Sequence, residues 1–512
     1  MKNSNASLKL VMRLALLALL LVMIIVPLTS CGEKELSQYN VTLFDAKGEK
    51  LLAVENEDGE WGFINKKGKE VIKCKYDDVY PFSNGLAAVN DDGDWIYINS
   101  KGKVKINGDF EQAYPFDDKG YAIVVEDGKY GFIGKNGKWK IDNEYEYLSV
   151  FNEYDLAVAK DEDGKYGMIN RKGKTVVDFE YEEISDFSKD GYAVVTVYDE
   201  DGDSFLSSSA KLKGIIDKKG NEILDVEYTD IKFGENMFSS NLVAVAQKDE
   251  ESGDTLWGYA DKKGNVAIKC EYKDAYVFAD NGLAAVCEYD DEEDESKWGF
   301  INKKGELVID TDFDSVRNFA KNGLAAVAKE DDDGNRKWGY INKKGDYVID
   351  DDFATAYTFH ENGLAIVVNE DGEYGAINKR GKEVIEIKYA SISYVQDDFI
   401  IVKTKNGNEL LYKVNGKEVD GEKYDDITYV SDKGYFVVSD NDENAIIKAN
   451  GKIKVDFTDD YSFEAVTNDN YILATDSKGN GVILDMKGDE AVDMDDYTDV
   501  RPYFYIEYYY FG

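Results

Sequence analysis

A chain of 512 residues with a formal net charge of −42, from 103 acidic against 61 basic side chains, repels phosphate backbones. That excludes nucleic-acid binding and favours cations or basic partners. At 43 % hydrophobic it can bury a core, which excludes wholesale disorder, and 45 Gly with only four Pro suit short strands joined by glycine turns.

The N-terminus reads as a separate object. Lys2, Lys9 and Arg13 precede an uncharged apolar run from Leu14 to Val26, followed by Pro27-Leu28-Thr29-Ser30-Cys31. A basic start, a short apolar stretch and small residues before a cut describe an export signal, and the run is too short to span a bilayer comfortably. Leu28-Thr29-Ser30-Cys31 resembles the lipobox of bacterial lipoproteins. The resemblance implies a signal peptide over 1–30, a palmitate-type lipid on Cys31, and a short tether over 31–40. It also implies a mature chain anchored to the cell membrane on its extracytoplasmic face. Attachment of two or three acyl chains supplies what stable anchoring requires. An ordinary secretory signal that contains a Cys is the alternative.

From residue 41 onward one pattern recurs. Its clearest copies are Trp61-Gly62-Phe63-Ile64-Asn65-Lys66-Lys67-Gly68 and the matching runs from Trp298 to Gly305 and from Trp338 to Gly345. Weaker copies begin at Trp95, Tyr130, Tyr166, Lys213, Trp257 and Tyr374, and degenerate ones end at Gly416, Gly451 and Gly488. Counted by the final Gly there are twelve, at spacings of 34 to 47 residues, which signals a stacked or circular array of one supersecondary unit. Copies are well matched over 41–384. The stretch 385–512 is degenerate, and is expected either to close the array or to form a distinct subdomain.

Each unit predicts four short strands. Tyr76 to Phe82 alternates roughly; Leu86-Ala87-Ala88-Val89 is a continuous apolar run that suits a strand buried on both faces. Asp92-Gly93 marks a two-residue hairpin. The next strand then puts Trp95, Tyr97 and Asn99 on one face and Ile96 and Ile98 on the other. Asn-Lys-Lys-Gly predicts a type I turn closed by a Gly of positive φ, and a last strand, such as Lys69 to Ile72, ends the unit. Gly after Trp marks a close approach by a ring or another backbone. The aromatic before it is read as packing against the neighbouring unit, with an exposed sugar-binding platform as the alternative.

These residues resemble the WG-repeat family of bacterial proteins, which implies repeat-mediated interaction and no catalytic residues to carry over. Trp95-Ile96 lacks the Gly and Lys213-Gly214 lacks the aromatic. The fold expected is all-β, tandem antiparallel β-meanders forming a β-propeller-like ring, with an open β-solenoid or superhelix as the alternative. Twelve units exceed the usual four to eight blades, so two rings are a further alternative. The ends carry complementary half-units, Leu43 to Gly48 and Asp499 to Phe504, which suits a ring sealed by strands from both termini.

Candidate chemistry is sparse. His360 is the sole histidine and falls in a turn, so neither a His-based metal site nor a Ser-His-Asp triad is expected, and no enzyme. Cys74, Cys270 and Cys287 make an odd set. Cys74 and Cys270 occupy the same position in two repeats, which points to strand packing, although Cys270 and Cys287 could pair. Repeat spacing is longest between Gly173 and Gly345, and the extra residues fall in one equivalent hairpin: Tyr198 to Leu212, Lys248 to Leu256, Glu288 to Lys297 and Lys329 to Lys337. Insertions at equivalent places project from one face and commonly carry binding. The candidate binding residues are therefore Tyr198, Asp199, Asp201, Asp290, Asp291, Glu292, Asp331, Asp332 and Asp333. No cofactor or metal is expected; weak Ca²⁺ binding at these acidic tips is the alternative, although none meets an EF-hand pattern. The expected partner is a protein or a cell-envelope polysaccharide. A purely structural envelope component and a carbohydrate-active enzyme are the rivals.

Overall fold

The computed structural model describes residues 42–43, 50–198, 211–249, 251–290, 295–331, 334–395, 398–431, 433–492, 494 and 496–501. The chain divides after Ser37. Cys31 and the rest of Met1–Ser37 lie outside the described residues, and every described element belongs to the second unit, Gln38–Gly512.

The second repeat shows how a unit is built. Its strands run Asp78–Val79, Ala87–Asp91, Asp94–Ile98 and Val104–Phe110, hydrogen-bonded in that order and all antiparallel. Asp92 and Gly93 take φ values of 59° and 97°, the mirror-type turn that matches strand twist. In the next turn Gly102, at φ 71°, donates its amide to the Asn99 carbonyl at 2.8 Å. The Asn99 side chain accepts from the amides of Lys101 and Lys103. The Asn and the Gly of the repeat are thus the two ends of one turn.

Each sheet buries both faces. On the second blade Ala87, Val89, Ile96 and Ile98 pack against Phe63, Ile72 and Tyr76 of the first. Leu86, Ala88, Trp95 and Tyr97 pack against Phe116, Val124 and Ile133 of the third. The alternation read from the sequence divides the residues in this way. A sheet that is apolar on both faces needs a neighbour on each side, so a row of them exposes two apolar ends unless it closes.

It closes. Twelve sheets, eleven of four strands and one of three, form a single propeller-like ring among the described residues. The strand Tyr497–Arg501 joins the first blade beside Leu51–Asn56, antiparallel, with Val500 opposite Val54. Leu43, Leu52 and Ile64 then pack with Ile483 and Val492 of the twelfth blade. The open superhelix and the two-ring arrangement are therefore not what the chain adopts. Of the expected half-units, Asp499 and Val500 lie in the closing strand and Leu43 is buried, while residues 44–49 and 502–504 lie outside the described residues.

Two recurring glycines shape this geometry. A Cβ on Gly62 would stand 2.6 Å from the Ile72 carbonyl oxygen and from the Cys74 nitrogen. The pairing Trp61 to Tyr76 and Phe63 to Ile72 shows why: the fourth strand bulges by two residues across this Gly. The turn glycine does a second job, resting on the preceding blade. A Cβ on Gly102 would meet the Ile72 side chain at 3.5 Å, and one on Gly220 would collide with the Val176 carbonyl oxygen. Trp61, Trp95, Trp257 and Trp338 are buried. Trp257 lies between Ile268 and Tyr272 of its own sheet and Ala275 and Phe278 of the next. The rings fill blade interfaces rather than forming a platform.

Candidate functional site

The lengthened hairpins join the second and third strands of the fifth to eighth blades, so they rise from one side of the ring. The added residues extend the strands themselves: Tyr192–Tyr198 with Lys211–Asp217, Leu242–Lys248 with Thr255–Asp261, Leu283–Asp290 with Glu295–Asn302, and Ala325–Glu330 with Arg336–Ile341. Of the candidate residues, Tyr198, Asp290 and Asp331 are placed. Asp199, Asp201, Asp291, Glu292, Asp332 and Asp333 lie outside the described residues. Tyr198 is 44 % exposed, with the Lys211 ammonium 5.9 Å from its ring centre. Lys211 also pairs with Glu183 at 2.6 Å, and that carboxylate raises its pKa. The Asp290 backbone pairs with Glu295 at the ribbon end. Asp331 accepts the Asn335 amide on its side chain at 2.8 Å, which closes the tip at Gly334.

Lysines tie the ribbons of the sixth to eighth blades into one rim. Lys273 pairs with Asp254 of the sixth blade's hairpin at 2.6 Å and lies 5.6 Å from the ring centre of Tyr289 in the seventh. Lys297, in the seventh, bonds to Asp314 at 2.6 Å, and Asp314 also accepts the amide of Glu330 in the eighth at 2.7 Å. Burial pushes the Asp314 carboxyl up, but the bonds from Lys297 and the Glu330 amide outweigh it and hold the pKa low. Lys337 of the eighth blade pairs with Glu370 of the ninth. The rim is a linked acidic surface with interspersed ammonium groups. His360, by contrast, stacks on Tyr394 with ring centres 4.6 Å apart. Cys74, Cys270 and Cys287 are free thiols; burial pushes Cys74 and Cys270 up to about 11, which suppresses the reactive thiolate.

A second feature escapes the repeat pattern. The tenth blade has three strands, Ser391–Val395, Phe399–Lys403 and Glu409–Lys413. Where a fourth would run, the chain makes only single bridges, Tyr412 to Glu418 and Glu409 to Tyr424. Its third strand carries Leu410 at the position of Gly62. The gap leaves a cleft of about 670 Å³ between the ninth blade's Val384 to Tyr389 and the loop from Gly416 to Gly421. In it Tyr412 and Tyr389 share a hydroxyl contact of 2.8 Å, and Tyr412 donates to Glu418 at 2.6 Å. Burial, and then the Glu418 hydrogen bond, raise the Tyr412 pKa. The signal in the sequence was Tyr412, where most other copies carry Ile.

Nine stretches, 61–95, 97–130, 130–166, 166–199, 214–250, 257–290, 298–331, 338–372 and 374–408, match the WG containing repeat. The chain belongs to the WG containing repeat family. Each matched stretch starts on the third strand of one blade and ends in the next, between its second strand and the start of its third. A WG repeat is therefore one blade-to-blade interface rather than one blade. Among solved structures the chain is similar to a crystal structure of a eukaryotic initiation factor, at 9 % identity, covering 74 % of this chain and 97 % of that one with a TM-score of 0.28. It is also similar to a crystal structure of the tricorn protease, at 12 % identity, covering 88 % of this chain and 58 % of that one with a TM-score of 0.23. No curated protein sequence matches it.

Proposed function

We propose that this WG-repeat ring is a non-catalytic interaction scaffold. In this reading it is exported and held by a lipid on Cys31 at the extracytoplasmic face of a bacterial cell membrane. The partner is a protein or an envelope polysaccharide, engaged through the ribbons of the fifth to eighth blades. One observation carries the reading. The apolar and aromatic residues of the repeat are consumed by blade interfaces, whereas the ribbons depart from the repeat on four consecutive blades, and those of the sixth to eighth are linked into one rim. A rigid ring presenting such loops is an arrangement suited to recognition. The charge of the rim favours a partner with basic or hydrogen-bond-donating groups.

The test has two parts. Cells expressing the full chain are fed an alkynyl fatty acid, and Cys31→Ser should abolish labelling and move the protein from the membrane to the soluble fraction. Persistent labelling of the variant refutes the anchor. Separately, the four ribbons are shortened to the length of the Asp92-Gly93 hairpin and the protein is used to capture partners from envelope extract. Loss of a discrete saturable partner supports the rim; an unchanged capture profile refutes it.

A further inference from the structure

The cleft in the tenth blade is independent of the rim, since it lies between different blades and is built from a different departure from the repeat. At the position of Tyr412 the other eleven blades carry Ile64, Ile98, Ile133, Ile169, Ile216, Ala260, Ile301, Ile341, Ile377, Ile447 and Leu484. That position faces the preceding blade and is buried: Ile64 and Ile98 are fully enclosed. A hydroxyl there has no role in the shared interface. In the tenth blade it arrives together with the loss of the fourth strand and the opening of the cleft.

The hydrogen bonds run in one direction. A tyrosine has a single hydroxyl proton, and that of Tyr412 goes to Glu418, so Tyr389 must donate to Tyr412. This relay ends on the carboxylate of Glu418, an exposed residue that lines the cleft. Asp420 stands alongside and accepts from Tyr424 at 3.1 Å. Charges in the wall nearly balance: Glu386, Glu418 and Asp420 face Lys388 and Lys417, and Lys388 already pairs with Glu386 at 2.5 Å. A balanced wall holds neither a phosphate nor a polyamine strongly. Several fixed acceptors beside ammonium donors, over the partly exposed aliphatic side chains of Val384 and Val419, suit a neutral molecule with many hydroxyls and an apolar C–H face. The volume falls within the roughly 300–1,000 Å³ typical of small-molecule sites.

We propose that the tenth-blade cleft binds a neutral saccharide unit, with Glu418 and Asp420 accepting from its hydroxyls and Tyr412 fixing the Glu418 carboxylate in place. Tyr412 is a positioning residue in this site, and Glu418 a contact residue.

The experiment titrates the full chain with glucose, galactose, mannose, N-acetylglucosamine and maltose, followed by saturation-transfer NMR and calorimetry. At least one sugar should bind saturably. Glu418→Gln changes an exposed side chain, and Tyr412→Ile restores the residue that most repeats carry, so both should fold. Each should weaken binding on the order of tenfold or more, as loss of a charge-assisted hydrogen bond implies. The variant with shortened ribbons should bind the same sugar as tightly as the parent, which separates this site from the rim. Four results overturn the proposal: no saturable sugar, undiminished binding by both variants, tighter binding of spermidine than of any sugar, or loss of sugar binding on shortening the ribbons.

Discussion

Replacing Gly62 with Ala should destabilise the ring through a single, local collision. The added Cβ would sit 2.6 Å from two backbone atoms of the fourth strand, whereas ordinary contact begins near 3.4 Å. That strand is held by the pairs of Tyr76 and Ile72 on either side, so it cannot retreat by sliding. Overpacking of this kind costs about 1–3 kcal/mol. The second blade supplies the remedy. It carries Ile96 where Gly62 stands, yet keeps the same register, Trp95 to Phe110 and Tyr97 to Ile106. The bulge residue opposite is Gly108, in the place of Cys74. The side chain has moved from the fourth strand to the third. The double variant Gly62→Ile with Cys74→Gly should therefore be more stable than the sum of the two single changes, by about 0.5–3 kcal/mol of coupling. Urea unfolding followed by tryptophan fluorescence measures all four corners of the cycle. Tolerance of Gly62→Ala within about 0.5 kcal/mol, or strict additivity in the cycle, would falsify the collision argument.

Other expectations rest on the same structure. Removing Tyr497–Arg501 leaves the edge of Leu51–Asn56 unpaired, so hydrogen exchange should accelerate there and the protein should self-associate through the bare strand; unchanged exchange in that strand would show that closure does not depend on it. Asp261 accepts the amides of Asn265 and Lys263, which lowers its pKa below 3.8. A depressed acid stabilises the fold above its unfolded pKa and loses that contribution as pH falls through the folded value. Asp261→Asn, which copies Asn65 and Asn302 of sister turns, should therefore lose less stability than the parent between about pH 5 and pH 2, as read by unfolding curves at each pH; parallel curves would refute the link. Native protein should leave Cys74 unlabelled by maleimide at neutral pH, with labelling only after unfolding, because burial disfavours both access and the thiolate; fast native labelling of Cys74 would contradict its packing.

Much of the architecture was legible because it is local and repeated. The Asn and Gly of each turn, the Asp-Gly hairpin and the apolar run buried on two faces each follow from short-range sterics and period-two alternation, and the structure agrees at Asn99, Gly102, Gly93 and Leu86 to Val89. The close approach at Gly62 was also readable, but not what approaches it. The bulged fourth strand comes from the same blade, and the exchange of Ile96 with Gly108 shows only when two strands are set side by side. The lengthened hairpins were visible as spacing, but their joining into one rim through Lys273, Lys297 and Asp314 needed neighbouring blades in place. The tenth-blade cleft was missed. Its cue, Tyr412, looks like ordinary degeneracy until the absent strand reveals a space.

The sequence by itself determined the unit: four antiparallel strands, apolar on both faces, repeated in tandem. That holds because turn chemistry and alternation act within a few residues. Tertiary structure alone decided that the twelve units form one closed ring rather than two rings or an open coil. The step from blade to blade is set by how Trp, Ile and Ala side chains of two sheets interlock with the turn glycine seated between them. A small error in that step, compounded twelve times, separates a ring from a helix, and no single repeat encodes the sum.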